Sequence, residues 1–175
     1  RTRSIYSDLG FILLGFILED ARARAVRSWS GTTDPNAFLA SQFHRIARYV
    51  TDEPLTFSPP RTWRNRIAPT EHDPWRGRTL VGEVHDENAW ALGGTAGHAG
   101  LFGTAAAVGA FARAALHTIH GTPVLARPET MRTFITRTDV PGSSRALGWD
   151  TMLPTSSCGT RLSPSSIGPT GFLPA

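Results

Sequence analysis

Between Leu9 and Leu18 the chain reads LGFILLGFIL, apolar on every side, before the polar run EDARARAVR takes over. Such a run predicts a buried helix from about Asp8 into the low twenties, with Ser7 or Asp8 as its cap. GTTDP then breaks the chain. Asp34 before Pro35 is an N-cap with proline at the first helical position. Phe38, Leu39, Phe43, Ile46, Ala47 and Val50 form an apolar stripe on a second helix that reaches about Tyr49. From Thr51 to Gly82 no period survives, and the mixture of Pro, Arg and Trp predicts a long, packed loop. The next stretch, VHDENAWALGGTAGHAGLF from Val84 to Phe102, predicts a shaped loop. Glycine is costly in regular elements and is kept where backbone must bend or approach something closely. A third helix starts at Thr104, carries Ala105, Val108, Phe111, Ala112, Ala115 and Ile119 on one face, and stops at Gly121. A short helix around RPETMRTFI follows, and RALGWDTM and SSIGPTGF read as short strands. Helices first and then the start of a sheet predict an α+β protein.

Composition narrows this picture. At 175 residues, 40% hydrophobic and with five Trp, the chain is long enough for one domain with a core and is too apolar for disorder. The formal charge of +4 would permit acidic partners. Every basic residue other than His is Arg, so any mechanism that needs a lysine amine is excluded for this chain by itself. The single Cys158 excludes an internal disulfide framework and a multi-Cys metal site. No apolar run reaches the roughly 18 residues a membrane span needs, and no secretory signal opens the chain. It begins on Arg1 and stops at TGFLPA, which leads us to expect a segment of a longer protein.

Two chemistries can be weighed from residue types. His85, Asp86, Glu87, His98, His117 and His120 are metal-ligand types in number, but their spacing matches no zinc motif. Arg61, Arg64, Arg66, Arg76 and Arg78 with Trp63 and Trp75 mix cations and aromatics as nucleic-acid surfaces do. Glu71 and Asp73 interrupt that patch, and Arg stacked on Trp in a packed loop explains the same residues.

YSDLGFILLG resembles the second signature, Tyr-x-Asn before a helix, of the serine β-lactamase and penicillin-binding-protein superfamily of the class C type. GEVHDENAWALGGTAGHAGLFGTAA is similar to the long loop of its β-lactamase-related hydrolases, and SSIGPTGF resembles the third signature, a Lys-Thr-Gly or His-Thr-Gly on a sheet-edge strand. The resemblance covers essentially the whole chain, and it implies a helical lobe with the first strands of an antiparallel sheet. Residues 1–126 would form the helical lobe, with 84–103 lining the cleft, and 127–175 would begin the α/β lobe. It further implies acyl-enzyme hydrolysis of β-lactams, D-Ala-D-Ala peptides or small esters, with no cofactor and no metal.

Carried over by position, Tyr6 would be the proton-transfer group. A tyrosine titrates near ~10, so it needs an adjacent cation to act as a base. Asp8 stands for the Asn that binds a substrate amide. Thr170 would hold a substrate carboxylate, Gly171 would allow close approach, and the Phe172 N–H would serve the oxyanion hole. Pro169 replaces the Lys or His of the triplet and removes both a cation and a backbone donor. His85, Asp86, Glu87, Asn88 and His98 would pin the loop by hydrogen bonds, or a few of them would face substrate. The Ser-x-x-Lys nucleophile motif is absent, so the isolated chain is expected to be inactive. The alternative is a non-catalytic homologue that binds a peptidoglycan-type or nucleic-acid ligand. A cell-envelope location would follow if the full-length protein carries a signal peptide.

Overall fold

The computed structural model describes residues 4–5, 7–26, 35–156 and 161–168. The fold is α+β, with helices and three small two-stranded antiparallel sheets among the described residues. The chain sorts into two compact units, Ser7–Ala112 and a second made of Arg1–Tyr6 with Arg113–Ala175. No described helix is long and apolar enough to cross a membrane.

In the Ser7–Ala112 unit, α1 (Leu9–Val26) begins where expected, with the Ser7 hydroxyl accepting from the Leu9 N–H at 3.3 Å. Its predicted burial is only partial. Gly15 and Glu19 are buried, while Leu9, Phe11, Leu13, Leu14, Phe16, Ile17 and Leu18 are exposed. A helix that is apolar all round needs cover on every side, and the described residues cover one. There α2 (Pro35–Ala47) lies alongside, and its Gln42 Nε2 donates to the Leu18 carbonyl at 3.2 Å. The Asp34 cap lies outside the described residues. From α2, Phe43 meets Phe57 edge to face at 5.4 Å between ring centres.

The expected loop from Thr51 to Gly82 holds more order than its sequence indicates. β1 (Leu55–Phe57) leads to a 3₁₀ helix (Arg61–Arg66), and β2 (His72–Asp73) pairs with β3 (Arg78–Thr79) as a tight hairpin. Likewise 84–102 contains a one-turn helix, α3 (Glu87–Ala91), and ends in β4 (Leu101–Gly103). β1 and β4 are antiparallel, with Leu55 opposite Gly103 and Phe57 opposite Leu101. The small core of this region is Val84, Ala89 and Ala96, with Leu92 and Ala99 packed on it.

α4 (Ala105–Ile119) contains the unit boundary. Thr104 Oγ1 caps it by accepting from the Ala107 N–H at 3.1 Å, and Gly121, at φ +106°, ends it. Its buried positions are Ala107, Ala114, Ala115 and Thr118, so the inward face is rotated from the predicted stripe, and Val108 is exposed. Alanine is compatible with buried and exposed positions alike, so an alanine-rich helix does not write its inward face in the sequence. In the second unit, α5 (Pro128–Ile135) buries Met131 and has proline in its first turn, as RPETMRTFI predicts. β5 (Asp150–Thr151) and β6 (Ile167–Gly168) fall within the two predicted strands and pair antiparallel, Asp150 opposite Gly168.

Candidate functional site

A polar cluster of the Ser7–Ala112 unit is built on the β2–β3 hairpin and the glycine-rich stretch after it. Asp73 Oδ1 accepts from the N–H groups of Trp75, at 2.8 Å, and Arg76, at 3.2 Å, closing a turn that contains Pro74 and is followed by Gly77. Asp73 Oδ2 pairs with Arg76 Nε. The rest of the Arg76 guanidinium donates to the carbonyls of Val84, at 2.8 Å, and His85, at 2.5 Å. It also lies 5.8 Å from the ring centres of both Trp75 and Trp90, which meet edge to face at 5.3 Å. This cation is fully engaged in structure, as expected of Arg packed on Trp. Burial works against a charged Asp73, yet the bonds from Arg76 and Trp75 outweigh it and hold its carboxyl below the ordinary value.

Downstream, Asp86 caps α3 through Oδ1, which accepts from the Ala89 N–H at 2.7 Å. The same oxygen meets His98 Nε2 at 2.8 Å. His98 is 3% exposed in its side chain, and its Nδ1 is buried without a hydrogen-bond partner. An ionised carboxylate oxygen can only accept, so Nε2 carries the proton of this bond. His85 pairs with Glu71. Asp86, His98 and His85 thus pin the loop as expected, whereas Glu87 and Asn88 are exposed.

The glycines answer a packing need. A Cβ on Gly97 would stand 2.1 Å from the Phe11 carbonyl oxygen of α1, and one on Gly100 would stand 2.3 Å from the Gly94 carbonyl oxygen. Backbone contacts this close admit hydrogen alone.

Of the residues carried over from the motifs, the structure describes Asp8. It is half-buried at the start of α1, where its carbonyl accepts from the Phe11 and Ile12 N–H groups, both at 2.9 Å. Tyr6, Pro169, Thr170, Gly171 and Phe172 lie outside the described residues. β6 ends at Gly168, immediately before the Pro-Thr-Gly triplet.

Comparison with known proteins bears on the same stretches. The chain is 32% identical, over 98% of its length, to a protein of Salmonella gallinarum named "Putative D-alanyl-D-alanine carboxypeptidase". Proteins of the same name from Salmonella agona and Salmonella newport are 31% identical over 98% of the chain. The likeness runs nearly end to end. The chain spans 41% of the length of each of these relatives. No family profile and no solved structure matches it.

Sequence reading missed the Asp73–Arg76 anchor, although Asp-Pro-Trp-Arg is a recognisable turn. It also missed Ser58, whose φ of +44° is the one positive value among the described non-glycine residues. No local signal marks that position.

Proposed function

We propose that this chain is part of a penicillin-binding-protein-like serine hydrolase that acts by acyl transfer on peptidoglycan-type peptides ending in D-alanyl-D-alanine. The observation that carries the reading is the likeness to the named carboxypeptidases along 98% of the chain. It agrees with YSD, the glycine-rich loop and PTG standing in the family's order. The relatives' names favour a peptide over a β-lactam or an ester as substrate.

In this reading Tyr6 moves the proton between nucleophile and leaving group. Asp8 offers acceptor oxygens to a substrate N–H, a narrower role than the Asn it replaces would have. Thr170 binds the terminal carboxylate, Gly171 admits the substrate backbone, and the Phe172 N–H stabilises the oxyanion. The serine nucleophile and its lysine are not among these 175 residues, which hold no Lys.

The test is release of D-alanine from a D-Ala-D-Ala-ended peptide by the full-length protein. Tyr6→Phe should lower kcat by about 10²–10⁴ with KM little changed. Wild-type kcat in that variant would remove Tyr6 from the proton path. The 175-residue chain alone should take up no fluorescent penicillin, and stoichiometric labelling would overturn its assignment as inactive. Pro169 favours a second reading, a homologue that binds such peptides without turnover; it requires saturable binding by the full-length protein and no D-alanine release.

A further inference from the structure

A cavity of about 530 Å³ lies within the Ser7–Ala112 unit, lined by residues that include Arg61, Arg64, Arg78, Glu83, Trp90 and Phe102. Trp90 and Phe102 belong to the 84–103 stretch, but none of the six is assigned a step in the acyl-transfer reading. Arg61 and Arg64 stand three apart on the 3₁₀ helix, a spacing at which side chains eclipse, so both project along one side of it. Each is exposed, and neither guanidinium has an ion-pair partner among the described residues. Arg78 does have one: its Nη2 meets Glu83 Oε2 at 2.8 Å, and the Trp90 Nε1–H reaches the same oxygen at 3.3 Å. The cavity therefore sets three guanidiniums against one carboxylate, with aromatic surface beside them.

Like charges held on one wall repel, and a shared counter-anion relieves that repulsion. Guanidinium forks match carboxylate and phosphate oxygens in geometry as well as charge. Trp90 and Phe102 offer nothing to the anion itself but would cover an apolar body attached to it.

We propose that this cavity is a binding site for a small oxyanion, carboxylate or phosphate, carried on an apolar or aromatic body. The proposal does not use the hydrolase reading, and its failure would leave that reading as it stands. The experiment titrates the 175-residue chain with benzoate, acetate and inorganic phosphate at constant ionic strength, following the Trp90 indole N–H resonance. Saturable shifts are expected, with the apparent Kd raised at least tenfold in Arg61→Gln/Arg64→Gln. Both positions are exposed, and an unchanged near-UV circular dichroism spectrum checks the fold of the variant. Benzoate binding more tightly than acetate and phosphate assigns the site to carboxylates on an aromatic body. Tighter phosphate binding assigns it to phosphate-bearing ligands. Absence of saturation with all three probes, or a titration curve that the double substitution leaves unmoved, would overturn the site.

Discussion

Gly97 marks the closest approach of the glycine-rich loop to α1, and it shows how a single hydrogen atom can decide a packing. Gly97→Ala must push the Phe11 carbonyl aside, because the added carbon would stand 2.1 Å from it. We expect a loss of about 1–3 kcal/mol in urea unfolding. Gly10→Ala in α1 has nothing within 4 Å of the new carbon and should stabilise by about 0.5–1 kcal/mol. Equal midpoints for the two variants would refute the close contact. Asp86 gives a pH-dependent counterpart. Burial opposes its charge, but the Ala89 N–H and His98 outweigh this and hold its carboxyl below the ordinary value. A folded pKa below the unfolded one contributes stability that is complete above about pH 4 and is lost as pH falls through the folded value. Asp86→Asn should therefore flatten the acid limb of Tm against pH, and a variant curve parallel to wild type would exclude the linkage. His98 could be read from sequence as a loop pin, but its partner could not, because Asp86 and Glu87 are equally near in the chain.

Among the elements, the long helices and the two C-terminal strand segments were legible and β1 to β4 were not, for a reason of range. Helical signals are written over neighbours a few residues apart, so α1, α2, α4 and α5 emerge from the apolar run LGFILLGFIL, the stripe of α2, the stop at Gly121 and the run RPETMRTFI. β1 has three residues and gains its partner only from Leu101–Gly103, so no alternation within Thr51–Gly82 announces it. α3 is a single turn stabilised by the Asp86 cap, which a Gly-rich context conceals. The start of α4 is a place where local reading and structure agree. Thr104→Ala removes the acceptor of the Ala107 N–H and should cost about 1 kcal/mol, with Thr104→Ser restoring most of it. Equal unfolding midpoints for the Ala and Ser variants would show the cap to be unimportant.

For the chain as a whole, the exposed side chains of α1 set the expected behaviour in solution. Leu13 is 58% exposed and Ile17 53%, within a run of similar neighbours. A contiguous apolar surface of this kind promotes association. The 175-residue chain should sediment as a concentration-dependent mixture, and Leu13→Gln/Ile17→Gln should shift it toward monomer without lowering its unfolding midpoint. Unchanged sedimentation would mean that α1 is not the adhesive surface. Of the proposed catalytic groups, YSD and PTG are visible in the sequence as triplets that resemble short family signatures. Their geometry is not, since Tyr6 and Thr170 stand at opposite ends of the chain.

By itself the sequence determined the α+β class, the main helices with the starts at Ser7 and Thr104 and the stop at Gly121, the two C-terminal strand segments, and the absence of any lysine for catalysis. Each depends on neighbours a few residues away or on composition. Tertiary structure alone decided that Arg76 is a buried tie between two tryptophans rather than a free cation, that Gly97 serves a helix more than eighty residues upstream, and that Arg61 and Arg64 share a cavity with Arg78 and Glu83. These are meetings of segments far apart along the chain, and local propensity carries no record of which distant partner will arrive.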